Sequence, residues 1–449
     1  MTSGEDAHRP SAKSKRTPSS TTKTVVGAAA SSFALPLSAL VTSPILARSL
    51  GPEIRGELAA VLAPIAFATL IATVGIPEAL TFFVASRRRQ PLKFAATGAI
   101  IGGAAGVIAA SVLIVLAPIL LSHSPQYVTL LRSIALLVPV FLAGAALRGA
   151  LQGKGNFNAV NVERWLSVSS RVVLIVGLAL AGGLTVSSAA WVTNATAAFA
   201  LLVLLAAVIR WRRKIERTGD TGSVWTPLLG YGMRVWPGAI SMLMILRADQ
   251  VVMAPIVSPQ QLGYYAVAVA VAEVPWAGFG ALRDVIFSRS TQRGESTLIA
   301  VASRLCIIVF VPAVIIGIVL MPWAMRFVFG PEFSEATIMA QILLVASLPA
   351  GLATICGAGL MSLGRPGALS VTQAVASILS VGFVLLLTPE WGGLGAACAS
   401  LLSYVILFAV TLTLFCRESG TRLRTVLLPT RQDAAFLRSR FLTRRSPTG

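Results

Sequence analysis

From residue 25 to residue 416 the chain is a succession of apolar runs separated by short polar joints rich in glycine and proline. A helix needs about 20 apolar residues to cross the hydrocarbon of a bilayer. Lipid offers no partner for backbone amides, so runs of this length fold as spanning helices that satisfy their own hydrogen bonds. The runs are continuous rather than alternating, which speaks against a transmembrane β-barrel. Only 12% of the residues are charged, about half the share of an ordinary soluble domain. The expected fold class is an all-α polytopic membrane protein.

Twelve transmembrane helices are read, at residues 25–47, 57–85, 94–121, 129–147, 168–184, 189–209, 231–257, 263–287, 298–325, 336–360, 368–387 and 393–416. The fifth is short, and its start is alternatively set nearer Val162. Prolines such as Pro36, Pro64, Pro118, Pro237, Pro275, Pro312 and Pro349 fall inside these runs, where neighbouring helices or water can satisfy the freed carbonyls. With twelve crossings both ends lie on one side. That side then holds 28 of the 37 Lys and Arg, including the segment 148–167, against 3 on the other and 6 within spans. Basic loops stay in the cytoplasm, so both termini are expected there. Residues 1–24 read as a disordered cytoplasmic tail. A cleaved signal peptide is the rival reading, but the run from Val25 to Ala47 is too long for its apolar core. Residues 417–449 form a basic cytoplasmic tail.

Two internal echoes divide the membrane part. Pro259-Gln-Gln-Leu-Gly263 repeats the Pro-x-x-x-Gly spacing of Pro52-Glu-Ile-Arg-Gly56, and Leu360 to Ala368 echoes Leu151 to Ala159. The nearly equal offsets, 207 and 209 residues, indicate a duplicated half. The expected organisation is a six-helix lobe at 25–209, a cytoplasmic linker at 210–230 and a second six-helix lobe at 231–416. The linker is alternatively an amphipathic helix lying on anionic lipid.

Charges inside spans mark where function can sit. Arg247 and Asp249 lie deep in the run 231–257. A charge at the bilayer centre costs about 2.5–3.5 kcal/mol even on lenient scales, so both are expected to face protein or a hydrated cavity. Two residues apart, they do not share a helix face, and each needs a partner on another helix or water. They either fix the bundle as interhelical ion pairs or form a substrate or coupling-ion site. Glu78 follows Pro77, and Glu273 precedes Pro275 by two. A carboxylate beside such a break suits an ion or proton site. Arg132, Arg171, Arg234, Arg283, Asp284 and Arg304 lie near predicted span ends, where long side chains can reach the interface; Arg234 shares a helix with Arg247. Arg48 and Arg55 flank the first outer loop, either lining the mouth of a cavity or serving as plain loop residues.

The net charge of +20 would point to nucleic acid in a soluble chain. Here it follows from orientation in the membrane, and no nucleic-acid partner is expected. Gly149-Ala-Leu-Gln-Gly153-Lys154-Gly155 lacks the spacing and the hydroxyl residue of a phosphate loop. Cys306, Cys356, Cys398 and Cys416 show no metal spacing. Neither a catalytic residue, a metal nor a cofactor is expected.

The segments RSLGPEIRGELAAVLAPIAFA, LRADQVVMAPIVSPQQLGYYAVAVAVAEVP, GAGLMSLGRPGALSVTQ and PEWGGLGAACASLLSY resemble the Wzx-type polysaccharide flippases of the multidrug/oligosaccharidyl-lipid/polysaccharide exporter (MOP) superfamily. The resemblance runs from about Val25 to Cys416. It implies twelve helices in two pseudo-symmetric six-helix lobes around a central cavity, and movement of a lipid-linked oligosaccharide across the cytoplasmic membrane by alternating access. The substrate headgroup would be of the undecaprenyl-diphosphate type, which Arg247, Arg234, Arg48 and Arg55 would bind. Asp249, Glu78 and Glu273 would balance charge or hold a coupling cation. Expected partners are membrane lipids, a polysaccharide polymerase and glycosyltransferases. Alternatives are a drug/cation antiporter of the same superfamily, a peptidoglycan-precursor flippase, and a membrane glycosyltransferase. The last would show a catalytic cluster in a sizeable outer loop, and none is read here.

Overall fold

The computed structural model of the chain describes residues 34–86, 90–213, 223–293 and 297–428. The expected tail at 1–24, the middle of the expected linker and the end of the C-terminal tail lie outside these residues. The described chain is helical throughout. In order, it comprises α1 (Ala34–Ile71), α2 (Ile76–Ser86), α3 (Pro91–Leu120), α4 (Val128–Ala135), α5 (Val138–Gly153), α6 (Phe157–Leu180), α7 (Val186–Arg212), α8 (Trp225–Met253), α9 (Pro259–Arg293), α10 (Thr297–Ala324), α11 (Ala336–Ser362), α12 (Pro366–Ser419) and α13 (Leu423–Leu427). A π-helical turn, Met325–Phe329, closes α10.

Two of these elements are pairs of spans. A straight helix rises about 1.5 Å per residue, so the 54 residues of α12 would overrun a bilayer core of about 30 Å more than twice. Its chain leaves helical geometry at Gly392, with φ 54° and ψ −135°. It then folds back so that a Cβ on Gly395 would strike the Leu387 carbonyl. In α1 the same break falls at Gly51, with φ 74° and ψ 172°. Seven helices are long and apolar enough to cross outright, and the bent pair α4–α5 makes an eighth. The second arms of α1 and α12, together with α6 and α8, bring the crossings to twelve. The last two carry more charge than a plain lipid-facing helix, Glu163, Arg164 and Arg171 in one and Arg234, Arg247 and Asp249 in the other.

The fifth span starts earlier than the apolar pattern implied. Helix α6 begins at Phe157, capped by the Asn156 side chain accepting from the Ala159 amide. The polar segment 148–167 is therefore mostly helical rather than loop. Its charges are absorbed inside the lobe, where Arg148 grips Glu163 through two hydrogen bonds of 2.9 and 3.2 Å.

Helices α1 to α7 form one lobe, and α9 to α12 form the core of the other. Both echoes have structural counterparts. Gly155 and Gly364 sit at φ 81° and 75°, and each ends a helix in the same way, the following amide bonding back to Leu151 and Leu360 at 2.8 and 2.9 Å. That is the six-to-one closure of a left-handed helix stop. The Pro-x-x-x-Gly copies lie against each other: a Cβ on Gly56 would collide with the Pro259 carbonyl and the Gly263 amide, and a Cβ on Gly263 with the Pro52 carbonyl and the Gly56 amide. This reciprocal crossing joins α1 to α9. One apolar core, containing Leu58, Val61, Tyr265 and Val267, runs across it from lobe to lobe. At the opposite end the lobes have separate cores. Helix α8 bridges them there, with Tyr231 stacked on Phe82 at 4.8 Å and Trp236 donating to the Ile71 carbonyl at 2.7 Å.

Candidate functional site

The deep charges of α8 part company because a two-residue step turns them away from each other. Arg247 reaches Glu273 on α9, Nη2 to Oε1 at 2.7 Å. The pair is open, its side chains 40% and 29% exposed. Asp249 turns inward and is buried. Its Oδ2 accepts from the Tyr265 hydroxyl at 2.5 Å, and its Oδ1 accepts from the Gln250 amide at 2.7 Å. The Tyr265 oxygen also meets Ser400 Oγ at 3.2 Å, which ties α8, α9 and α12 together. Each oxygen of the buried carboxylate thus has a donor, and Asp249 links α8 to α9 while Tyr265 carries the link on to α12.

Beside the open pair the wall is aromatic and hydrogen-bonded. Tyr404 on α12 donates to the Ile245 carbonyl at 3.2 Å, and its ring stacks on Trp276, centroids 6.3 Å apart. Both Ile245 and Tyr404 belong to a small core with Ala376 and Leu407, so the helix that carries Arg247 is held from behind.

The other expected site residues are spread through the molecule. Arg48 spans the lobes, its Nε donating to the Val328 carbonyl at 3.0 Å and its Nη2 to the Phe327 carbonyl. The π-helical turn presents these two acceptors. Arg55 lies next to the Gly56 crossing, and its Nε is buried without a hydrogen-bond partner among the described residues. Glu78 and Arg234 are both exposed, in the first turn of α2 and near the start of α8. Their helices meet where Gly75 and Gly232 touch backbone to backbone. The structure thus brings together Arg247 with Glu273 and leaves Arg48, Arg55, Glu78, Arg234 and Asp249 in separate surroundings.

Sequence reasoning misses two features. The apolar pattern puts Arg171 at a span end. With α6 starting at Phe157 it lies well inside the helix, donating to Ser38 Oγ of α1 at 2.7 Å, with its Nε unsatisfied among the described residues. The same pattern leaves the Arg148–Glu163 pair in a loop, yet it lines a cavity of about 360 Å³ within the first lobe, with Thr69, Thr73 and Gln152. The alternative start near Val162 is the signal that could have exposed both.

Comparison with solved structures shows the fold. The chain is similar to the lipid II flippase MurJ in an inward closed conformation, at TM-score 0.71 and 12% identity, covering 94% of this chain and 93% of that one. It is similar to the inward-facing conformation of a multidrug resistance MATE family transporter of the MOP superfamily, at TM-score 0.67 and 14% identity over 88% and 98% of the two chains. A third likeness is to the MATE multidrug transporter DinF-BH, at TM-score 0.61 and 17% identity over 93% and 98%. Among curated proteins no sequence matches. The architecture is that of twelve spans in two pseudo-symmetric lobes around a central cavity, in a multi-pass membrane protein. The model of the polysaccharide biosynthesis protein family matches residues 25–287, more than half the chain, and to that family the chain belongs.

Proposed function

We propose that the protein is a flippase that carries a lipid-linked oligosaccharide, of the undecaprenyl-diphosphate type, across the cytoplasmic membrane for surface polysaccharide assembly. The observation that carries the reading is the open Arg247–Glu273 pair. A guanidinium 40% exposed within a spanning helix is maintained in lipid only if it faces a hydrated space, since charge in hydrocarbon is costly. The space between the lobes is that place. Arginine offers a planar fork that matches phosphate oxygens, and Glu273 holds the fork neutral until a diphosphate displaces it. A diphosphate with several sugars cannot cross hydrocarbon unaided, because each polar group without a partner costs several kcal/mol. A wet gap removes that cost while the lipid tail stays in the bilayer.

In this reading both termini are cytoplasmic and the lobes correspond to residues 25–209 and 231–416, with 210–230 as the joint. The Gly56–Gly263 crossing and the Arg48 clasp seal the outer end. Arg234 and Glu78 sit nearer the cytoplasmic entry, and Arg55 lies at the roof. A polymerase and glycosyltransferases handle the same glycan before and after transport.

The test is reconstitution into proteoliposomes with a fluorescent lipid-linked oligosaccharide, whose movement to the far leaflet is read by chemical quenching. Wild type moves it and Arg247→Ala does not, with equal amounts of both proteins inserted. Full movement by Arg247→Ala would remove that residue from the site. Absence of movement by wild type, with extrusion of cationic dyes instead, would replace the reading by a drug/cation antiporter.

A further inference from the structure

Between the end of α5, the start of α6 and the last turns of α7 lies a cavity of about 410 Å³, lined by Lys154, Asn156, Asn158, Val162, Arg210 and Trp211 among others. None of the described residues lining it is acidic. Lys154 Nζ stands 4.5 Å above the centre of the Trp211 ring. Trp211 itself is buried, packed with Leu151 and Val160, and so supplies a fixed floor. Asn156 commits its Oδ1 to capping α6, which leaves its amide N–H groups to donate. Arg212 and Arg213 follow on the same exposed end of α7.

Toward the middle of the bundle the polar lining gives way to apolar side chains open to the surroundings. Val162 and Trp165 on α6 are 54% and 43% exposed, and Phe199 on α7, one turn from the Val203 that lines the cavity, is 59% exposed. The site therefore has a basic, amide-donating head continuous with an apolar slope. Indole and basic side chains of this kind settle at the headgroup level of a bilayer, and clustered Lys and Arg there attract anionic lipid.

We propose that this cavity binds one anionic phospholipid. Its phosphodiester lies between Lys154, Arg210 and the Asn156 and Asn158 amides, and its acyl chains run down the slope between α6 and α7. A lipid is favoured over a free phosphate because the charged head is only half of the surface presented. The inference is independent of transport and takes from the proposed orientation only the leaflet, the cytoplasmic one.

The experiment is native mass spectrometry of the purified full chain, delipidated and titrated with dioleoyl-phosphatidylglycerol or dioleoyl-phosphatidylcholine. The expected result is one phosphatidylglycerol retained in preference to phosphatidylcholine. That preference should fall about fivefold for each of Lys154→Gln and Arg210→Gln, and roughly 25-fold in the double variant. Arg326→Gln, at the other end of the bundle, keeps the preference, and a thermal melt equal to wild type shows the double variant folded. If the double variant melts early, Lys154→Arg with Arg210→Lys, which keeps both charges, must retain the preference. Equal binding of the two lipids, a preference unaffected in the Gln variants, or displacement by millimolar inorganic phosphate would overturn the proposal.

Discussion

Gly56→Ala is the sharpest probe of how the two lobes meet. A methyl there would lie 2.5 Å from the Pro259 carbonyl carbon and 2.8 Å from the Gly263 nitrogen, where ordinary contact begins at 3.4 Å. The Pro259 carbonyl oxygen is closer still, and all of these atoms are backbone, which cannot rotate aside, so α1 and α9 must part by more than the roughly 0.9 Å that separates 2.5 from 3.4 Å. Overpacking of this kind costs about 1–3 kcal/mol, against a gain of about 0.8–1.0 kcal/mol from better helix propensity. Since that gain is common to open and closed forms, the penalty falls on the closed contact alone. A loss of about 1–3 kcal/mol there shifts the balance between forms roughly 5- to 150-fold. Pulsed electron paramagnetic resonance between spin labels at Ser49→Cys and Ser258→Cys, in a background free of the native cysteines, should show a longer or broadened separation in Gly56→Ala. Gly103→Ala and Gly177→Ala are the controls, since a Cβ at either meets nothing within 4 Å. A Gly56→Ala protein with the wild-type distance distribution, and a melting temperature no lower than those controls, would refute the crossing.

Other perturbations address the polar contacts. Tyr265→Phe removes the main donor to buried Asp249 and should cost about 1–3 kcal/mol, read as a lowered melting temperature in detergent; an unchanged melt would mean Asp249 is satisfied otherwise. Glu273→Gln should change stability by less than about 1 kcal/mol, because its ion pair with Arg247 is open, yet it should alter transport in proteoliposomes; a large drop in melting temperature would make the pair structural. Arg148→Ala strands Glu163, whose side chain is 5% exposed, and should cost about 3 kcal/mol, measured by thermal unfolding and relieved by adding Glu163→Gln. Arg48→Ala frees the Phe327 and Val328 carbonyls and should broaden the same interlobe distance without lowering the melt of either lobe.

Much of the architecture was legible in the residues, because hydrocarbon imposes one rule on every span and the runs obey it. The rule failed where a spanning helix turns its charges into its own lobe. Glu163 and Arg164 made the first half of α6 look like loop, since apolar counting has no knowledge of an Arg148 waiting across the lobe. The misplaced start then moved Arg171 to an apparent span end. The separation of Arg247 from Asp249 was readable, being a matter of helical angle. Their partners were not, because Glu273 and Tyr265 lie 26 and 16 residues away on a helix whose rotation the sequence does not specify. Likewise the offset between the two Pro-x-x-x-Gly copies revealed a repeat without revealing that the copies touch.

That mutual touch has a bearing on how far the two halves can differ. A segment that packs against its own repeat has the self-complementary geometry of a two-fold contact, here carried on one polypeptide. In such a contact an alteration at either glycine strikes the backbone of the other. Each half is freer to vary away from the place where it confronts its counterpart. Pro52 with Pro259, and Gly56 with Gly263, are thus the letters least able to drift. Exchanging residues 52–56 for 259–263 should accordingly be tolerated better than exchanging any other pair of equivalent five-residue stretches.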